Sequence, residues 1–185
     1  MHLCKHIGKN NLPHRVRMDY QEGKHRFIEV WGKMASGWGI PPAMARVHAL
    51  LLASSKPLSL EDIVRQLDIS VGSASTNLRE LLEWKLVHKR SVSGERREYF
   101  EAERDLWAIV RQIILHRKKK ELEPVIEELN QLKQVNACCP ESEAFKRFVE
   151  EMSDFSQKAN CALKSLTEGD HMRALRVMIL TQSSQ

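Results

Sequence analysis

Residues 59–84 read SLEDIVRQLDISVGSASTNLRELLEW, and this stretch gives the clearest indication of the fold. Ser59 and Asp62 have the spacing of a capping box, in which two residues satisfy each other's backbone amides at the start of a helix. The spacing predicts a short helix with Ile63 and Leu67 facing inward. The following turn ends on Ser70, a residue type that caps helix N-termini. The stretch therefore predicts two helices joined by a tight turn.

The second of these helices has two distinct faces when it is plotted at the helical period. The predicted inner face consists of Val71, Ala74, Leu78, Leu81 and Leu82. The predicted outer face consists of Gly72, Ser73, Thr76, Asn77 and, at its flank, Arg79. Every outer residue is small or can form hydrogen bonds, and none is acidic before Glu80.

The pattern changes from helical to extended after Trp84. Residues 86–90 and 97–101 form two strand-like runs, joined through a glycine turn at 93–95. Within the thirteen residues 85–97, five are basic and Glu95 is the one acid; the basic residues are Lys85, Lys89, Arg90, Arg96 and Arg97. The order of elements predicts a mainly α protein with a winged helix-turn-helix DNA-binding domain.

Further helices are predicted on both sides of this unit. One runs from Lys24 to Trp38, and the next begins at Pro41-Pro42. A long helix starts at Arg104 and is expected to kink or break near Pro124. We expect a loose extension at 1–20, the DNA-binding domain at 21–103 and a helical dimerisation region at 104–185, with Asp170 capping a last short helix.

The helix after Pro140 carries an apolar seam with alternating spacings of three and four residues. Its members are Phe145, Phe148, Met152, Phe155, Ala159, Ala162 and Leu166. Such heptad spacing is typical of a coiled-coil interface. We therefore expect a homodimer in which Phe145, Phe148, Met152 and Phe155 take part. The alternative is that both long helices fold back over their own domain.

Binding to double-stranded DNA is the function that these features favour. The major groove admits an α-helix, and Ser73, Thr76, Asn77 and Arg79 offer hydrogen-bonding groups there. Ser70 and the free amides of the helix N-terminus are suited to a phosphate. Arg96 and Arg97 on the wing are suited to the flanking backbone or minor groove. The alternative is a winged-helix module that contacts proteins only.

The composition excludes several other classes of protein. The chain has 185 residues, 42% of them hydrophobic, and a net charge of +5, so a core can form and the basicity is mild. Its longest apolar run, 49–53, falls far short of the ~20 residues of a bilayer-spanning helix. No phosphate loop or nucleophile motif is present. We expect a cytoplasmic protein that is not an enzyme and has no cofactor.

Five stretches of the chain resemble the GbsR-like branch of the MarR-type transcriptional regulators. They are residues 27–32 with 38–40 and 45–51 (FIEVWG, WGI and ARVHALL), the wing GERREYF at 94–100, and RKKKELEP at 117–124. The resemblance covers about residues 24–133 and implies a homodimer on an imperfect palindrome. It also implies DNA contacts at Ser73, Thr76, Asn77, Arg79, Arg96 and Arg97. The best-known members repress osmoprotectant genes and sense choline or glycine betaine, but no residue here matches a position for that ligand.

A small-molecule effector of a repressor is the remaining expectation. Trp31, Trp38 and Trp107, with Tyr99, could line a cavity that binds a cation through the aromatic faces, or they could simply be core residues. His48 is expected to be a core histidine with its hydrogen bonds satisfied.

A thiol response through Cys138, Cys139 or Cys161 is a further alternative. A metal site is not expected, because His2, Cys4, His6 and the adjacent cysteines lack zinc-ligand spacing.

Overall fold

The computed structural model describes residues 18–168. Its elements are α1 (Tyr20–Gly37), α2 (Pro42–Leu52), β1 (Leu58–Ser59), α3 (Leu60–Leu67), α4 (Val71–Glu83), β2 (Val87–Arg90), β3 (Tyr99–Ala102), α5 (Leu106–Arg117), a π-helical turn (Lys118–Leu122), α6 (Glu123–Leu132) and α7 (Pro140–Glu168). In this part of the chain no helix combines the length and the apolar character needed to cross a membrane. The architecture is mainly helical with one small sheet, as predicted.

The predicted helix-turn-helix is formed by α3 and α4. Ser59 Oγ accepts a hydrogen bond from the Asp62 amide at 3.2 Å, and Asp62 Oδ2 accepts one from the Ser59 amide at 3.2 Å, which confirms the capping box. The turn leaves α3 at Asp68, whose φ is 51°. Ser70 Oγ then accepts a hydrogen bond from the Ser73 amide at 3.1 Å, so Ser70 caps α4.

The predicted wing is an antiparallel hairpin of β2 and β3. Val87 lies opposite Ala102 and Arg90 lies opposite Tyr99. Gly94 in the connecting loop has a φ of 86°, a conformation that favours glycine. A third strand, β1, was not predicted, and it pairs with β3 to give the order β1-β3-β2. The strand β3 also begins two positions later than the predicted run at 97–101.

One hydrophobic core holds these elements together. Its fully buried side chains include Met44 and Leu50 from α2, Ile63 from α3 and Leu81 from α4. Ile109 of α5 belongs to the same cluster. The core therefore connects α4 to the long helical region that follows the wing.

The first described helix begins earlier than predicted. Asp19 Oδ1 accepts a hydrogen bond from the Glu22 amide at 2.8 Å and caps α1, which starts at Tyr20 instead of Lys24. The expectation of a loose extension up to residue 20 is therefore wrong at its end. Its remainder, at 1–17, and the helix expected after Asp170 lie outside the described residues.

The interruption expected near Pro124 takes the form of the π-helical turn. Proline has no amide hydrogen to donate within a helix, and the turn directly precedes it. After α6 the chain reverses, and α7 packs back against α6. Val149, Ser153 and Ser156 lie on the buried side of α7, and Ser153 Oγ donates a hydrogen bond to Asn130 Oδ1 at 3.3 Å.

Candidate nucleic-acid interface

The outer face of α4 is rotated relative to the predicted one. Val71 was assigned to the core but is 58% exposed, because it occupies the open first position of the helix. Asn77 was assigned to the outer face but is only 9% exposed, and its Nδ2 donates a hydrogen bond to the Ser73 carbonyl at 2.7 Å. Both assignments are wrong. The exposed residues of α4 are Val71, Gly72, Thr76, Arg79 and Glu83.

Ser70 and Ser73 both lie at the N-terminus of α4, with different environments. Ser70 is exposed, and its Oγ accepts from the Ser73 amide, so its own hydroxyl hydrogen remains available to a phosphate. Ser73 is half-buried, and its Oγ accepts a second, longer hydrogen bond from Asn77 Nδ2 at 3.3 Å. Ser70 is therefore the more accessible of the two predicted contacts.

The basic residues of the wing fall into two groups. Those on the strand β2 are neutralised, since Lys89 Nζ lies 2.6 Å from Glu98 Oε1 and Arg90 Nε lies 2.7 Å from Glu101 Oε2. Arg96 and Arg97 are exposed in the loop, and within residues 18–168 neither forms a hydrogen bond or ion pair. The free positive charge of the hairpin is thus at its tip.

A surface cleft of about 380 Å³ lies between α4 and the hairpin. Ser75 and Arg79 line it from α4, while Lys89 and Arg97 line it from the hairpin. The structure therefore brings together the predicted residues Arg79 and Arg97, which are distant in sequence. Ser75 was missed because the assignment of Val71 to the core turned the predicted face away from it.

A second cavity, of about 260 Å³, lies on the inner side of α4, between α1, α2 and α5. Trp31 and Trp38 line it, as predicted, but Trp107 and Tyr99 do not. Trp107 is half-buried at the start of α5, outside this cavity.

His48 forms part of the wall of the same cavity. Its ring lies edge-on to Trp31, with the ring centroids 5.9 Å apart. The side chain is buried, and Nε2 has no hydrogen-bond partner among the described residues, so the expectation of a satisfied core histidine is wrong. Desolvation by burial lowers the pKa of His48 to about 4, and the imidazole is neutral at pH 7.

The predicted apolar seam of α7 lies on the surface of the single chain. Phe148 is 59% exposed and Phe155 is 73% exposed, and Phe145 and Met152 are exposed as well. The helix packs against α5, α6 and the π-helical turn through a different face. The apolar side chains of the seam are therefore uncovered in the single chain.

The cysteines and histidines show no arrangement for metal binding in the described part of the chain. There, no group of three or more His, Cys, Asp or Glu side chains could hold a metal ion. His2, Cys4 and His6 lie outside the described residues. Cys138, Cys139 and Cys161 are exposed free thiols, and hydrogen bonding with Ser142 lowers the pKa of Cys139.

A curated protein and a solved structure that are similar to this chain are both named as transcriptional regulators. No protein-family model matches the chain. YvaV from Bacillus subtilis (strain 168), a putative HTH-type transcriptional regulator, is 24% identical over 87 residues, which are 47% of this chain and 49% of YvaV. The match thus spans about half the length of that relative. A solved structure of a transcriptional regulator aligns with a TM-score of 0.61 and 21% identity, over 78% of this chain and 95% of that chain.

The structural likeness shows that the chain shares the fold of that solved regulator. Both proteins are named as transcriptional regulators. Neither name specifies the GbsR-like branch of the MarR-type regulators, which stays a prediction.

Proposed function

We propose that the chain is a sequence-specific DNA-binding transcriptional regulator, a repressor that acts as a homodimer on a palindromic operator. The observation that carries the proposal is the cleft in which Arg79 of α4 and Arg97 of the hairpin meet. A helix and a hairpin that present unpaired basic and hydrogen-bonding groups to one side are suited to a groove and its flanking phosphates. The regulators that the chain resembles support the same function.

The helix α4 supplies the base contacts in this proposal. Thr76 and Arg79 are exposed on its outer face, and arginine in the major groove pairs with guanine through two hydrogen bonds. Ser70, at the N-terminus of α4, meets a phosphate and sets the register of the helix on the duplex. Asn77 is not assigned a base contact, because it is buried.

The wing supplies contacts that do not depend on sequence. Arg96 and Arg97 are exposed and form no hydrogen bond or ion pair within residues 18–168, although the pKa of Glu61, lowered first by a hydrogen bond with its own backbone, is lowered further by the nearby Arg97 guanidinium. Both arginines can therefore displace counterions from the DNA backbone. Lys89 and Arg90 contribute little, because Glu98 and Glu101 already pair with them.

Dimerisation is supported by the exposed seam of α7. Aromatic side chains with more than half of their surface in water, such as Phe148 and Phe155, are costly to leave uncovered when they form one continuous stripe. A second copy of α7 covers such a stripe through heptad packing. Two copies also double the contacted DNA, which a single winged helix needs for useful specificity.

The proposal is tested by titrating the full-length protein against the DNA upstream of its own gene, with excess non-specific duplex as competitor. Fluorescence anisotropy should show specific binding that Arg79→Ala weakens by about tenfold or more, while non-specific binding changes much less. Arg147→Ala on α7 removes the same charge outside the cleft and should leave the specificity ratio unchanged.

The rival function is a winged-helix module that binds a protein and not DNA. Binding to duplex that disappears at physiological salt, and that is equal for all sequences, would favour this rival. A third function, a thiol-responsive regulator, requires release of the operator on oxidation of Cys138 or Cys139, and release by oxidant in the Cys138→Ser/Cys139→Ser variant would exclude those thiols.

A further inference from the structure

We propose that the cavity behind α4 binds an uncharged, largely apolar small molecule that carries one hydrogen-bonding group for His48. The proposal names the effector class of the regulator described above, and its regulatory consequence rests on that function. Ligand binding itself is measured without DNA.

The walls of the cavity define the apolar part of the ligand. They are formed by Trp31, Met34, Trp38, Ile40, Met44 and eight further apolar residues, and His48 is the one ionisable side chain among the lining residues. No lysine, arginine, aspartate or glutamate lines it. A charged ligand would therefore lose its hydration without gaining an ionic partner.

The depth of the cavity is apolar and its rim is accessible. Met44 and Leu81 are fully buried, whereas Trp38 and Leu106 are exposed. A ligand can thus enter past Trp38 and Leu106. The volume of about 260 Å³ lies just below the roughly 300 Å³ at which ordinary ligand pockets begin, which limits the ligand to about the size of a single substituted ring.

His48 defines the polar part of the ligand. Its Nε2 is fully buried and has no hydrogen-bond partner among the described residues. A buried polar atom without a partner costs about 1–3 kcal/mol, so a ligand that supplies the partner recovers free energy on binding. Because burial keeps the imidazole neutral at pH 7, Nε2 can pair with a neutral hydroxyl or carbonyl and offers no charge to a carboxylate.

The position of the cavity connects ligand binding to DNA. Leu81 of α4 and Leu86, just before β2, line one side, and Ile109 and Ile113 of α5 line the other. A ligand that separates these side chains displaces the recognition helix relative to α5. The two half-sites of a dimer would then no longer match a fixed operator spacing.

Four probes of similar size test the proposed class by isothermal titration: toluene, 4-methylphenol, benzoate and trimethylphenylammonium. We expect 4-methylphenol to bind about fivefold more tightly than toluene, a factor typical of one hydrogen bond, and both charged probes to bind more weakly than toluene. His48→Phe should abolish the difference between 4-methylphenol and toluene. His25→Phe, at an exposed histidine of α1, should preserve it.

A second measurement keeps the test decisive if His48→Phe does not fold. In the wild-type protein, the ¹⁵N resonance of His48 Nε2 should shift on addition of 4-methylphenol and not on addition of toluene. Tighter binding of benzoate or trimethylphenylammonium would overturn the uncharged class, and equal binding of toluene and 4-methylphenol would overturn the role of His48. Absence of binding by all four probes, with DNA binding intact, would remove the cavity as an effector site and leave the DNA-binding function standing.

Discussion

Asn77 occupies the inner side of the recognition helix because one hydrogen bond compensates its burial. Its Nδ2 donates to the Ser73 carbonyl at 2.7 Å, one turn earlier in α4. Burial of an amide without a partner costs about 1–3 kcal/mol, and this bond offsets much of that cost. Thr76, its neighbour, is exposed on the outer side. We therefore expect separate roles for the two residues: Asn77 in stability and, in the proposed function, Thr76 in contact with DNA.

Alanine substitutions should separate these two roles. We expect Asn77→Ala to lower the free energy of unfolding by about 1–2 kcal/mol, and Thr76→Ala to change it by less than about 0.5 kcal/mol. Thr76→Ala should lower operator affinity relative to non-specific DNA, while Asn77→Ala should leave that ratio unchanged in the folded protein. Urea denaturation and anisotropy on both variants measure this, and the opposite pattern would contradict the placement of Asn77.

His48 should make the stability of the protein depend on pH. Burial lowers its pKa from an ordinary 6.5 to about 4, so between these values the unfolded chain binds more protons than the folded one. The stability that the neutral imidazole contributes is complete above pH 6.5 and is lost as the pH falls toward 4. The loss amounts to roughly 2–3 kcal/mol at pH 4.5.

Urea denaturation at pH 7.5 and pH 4.5 checks this dependence. His48→Phe should remove most of the difference between the two pH values, and His25→Phe should retain it. An unchanged difference in His48→Phe would assign the acid sensitivity to other groups.

Periodicity predicted the helix α4 correctly but not its rotation about its own axis. Apolar spacing counts Val71 and ignores that the first residue of a helix is open to solvent. It also counts Asn77 as polar and ignores a hydrogen bond to the preceding turn. The outer face was therefore predicted in part, with Thr76 and Arg79 placed correctly and Ser75 missed.

At the scale of the element, the wing separates neutralised from free charge. The pairs Lys89–Glu98 and Arg90–Glu101 are exposed and contribute at most about 1 kcal/mol each to stability, yet they cancel the charge of β2. Arg96 and Arg97 lie in the loop and form no ion pair within the described residues. The unpaired positive charge of the hairpin is therefore smaller than its number of basic residues suggests.

Removal of the two loop arginines should change the salt dependence of DNA binding. We expect Arg96→Ala/Arg97→Ala to weaken binding to all duplexes and to reduce the slope of log K against log salt by about one to two units. Arg147→Ala/Lys158→Ala removes two charges from exposed positions on α7 and should leave the slope unchanged. Equal slopes for the wild type and the wing variant would exclude the wing from the DNA contact.

The elements that were not predicted from the sequence are short or irregular. The strand β1 has two residues, too few for an alternating pattern, and only its pairing with β3 defines it. Pro124 predicted an interruption of the long helix, but a proline does not determine whether the helix bends or widens into a π turn. Tertiary contacts decide both features.

At the scale of the whole molecule, the helix α7 has two faces that pack differently. Its inner face buries small residues such as Ser153 and Ser156 against the rest of the chain. Its outer face exposes Phe148 and Phe155. Because the larger apolar side chains are on the outer face, the single chain leaves much of the hydrophobic surface of α7 uncovered.

A charge placed in the outer seam should therefore separate subunits without unfolding them. We expect Phe148→Glu and Phe155→Glu to sediment as folded monomers with near-normal circular dichroism and much weaker operator binding. Ser165→Glu adds the same charge at another exposed position of α7 and should remain dimeric. A Phe148→Glu protein that stays a dimer of full operator affinity would place the interface elsewhere.

The features of the cavity that were not predicted depend on contacts between residues that are distant in sequence. The sequence left open whether Trp31, Trp38 and Trp107 line a cavity or belong to the core, because residue type alone does not show on which side of a helix a ring lies; Trp31 and Trp38 line the cavity and Trp107 does not. The partnerless Nε2 of His48 was unforeseen for the same reason. It results from the packing of α2 against its neighbours, a long-range property.

Ser59 belongs to two structures at once, since it pairs with Tyr99 in the sheet and caps α3. An inserted residue at this junction cannot be accommodated, because it would break either the strand register or the cap. Ser59 therefore links the base of the wing directly to the helix-turn-helix. In the proposed function, this link positions the hairpin against α4 before any duplex is bound.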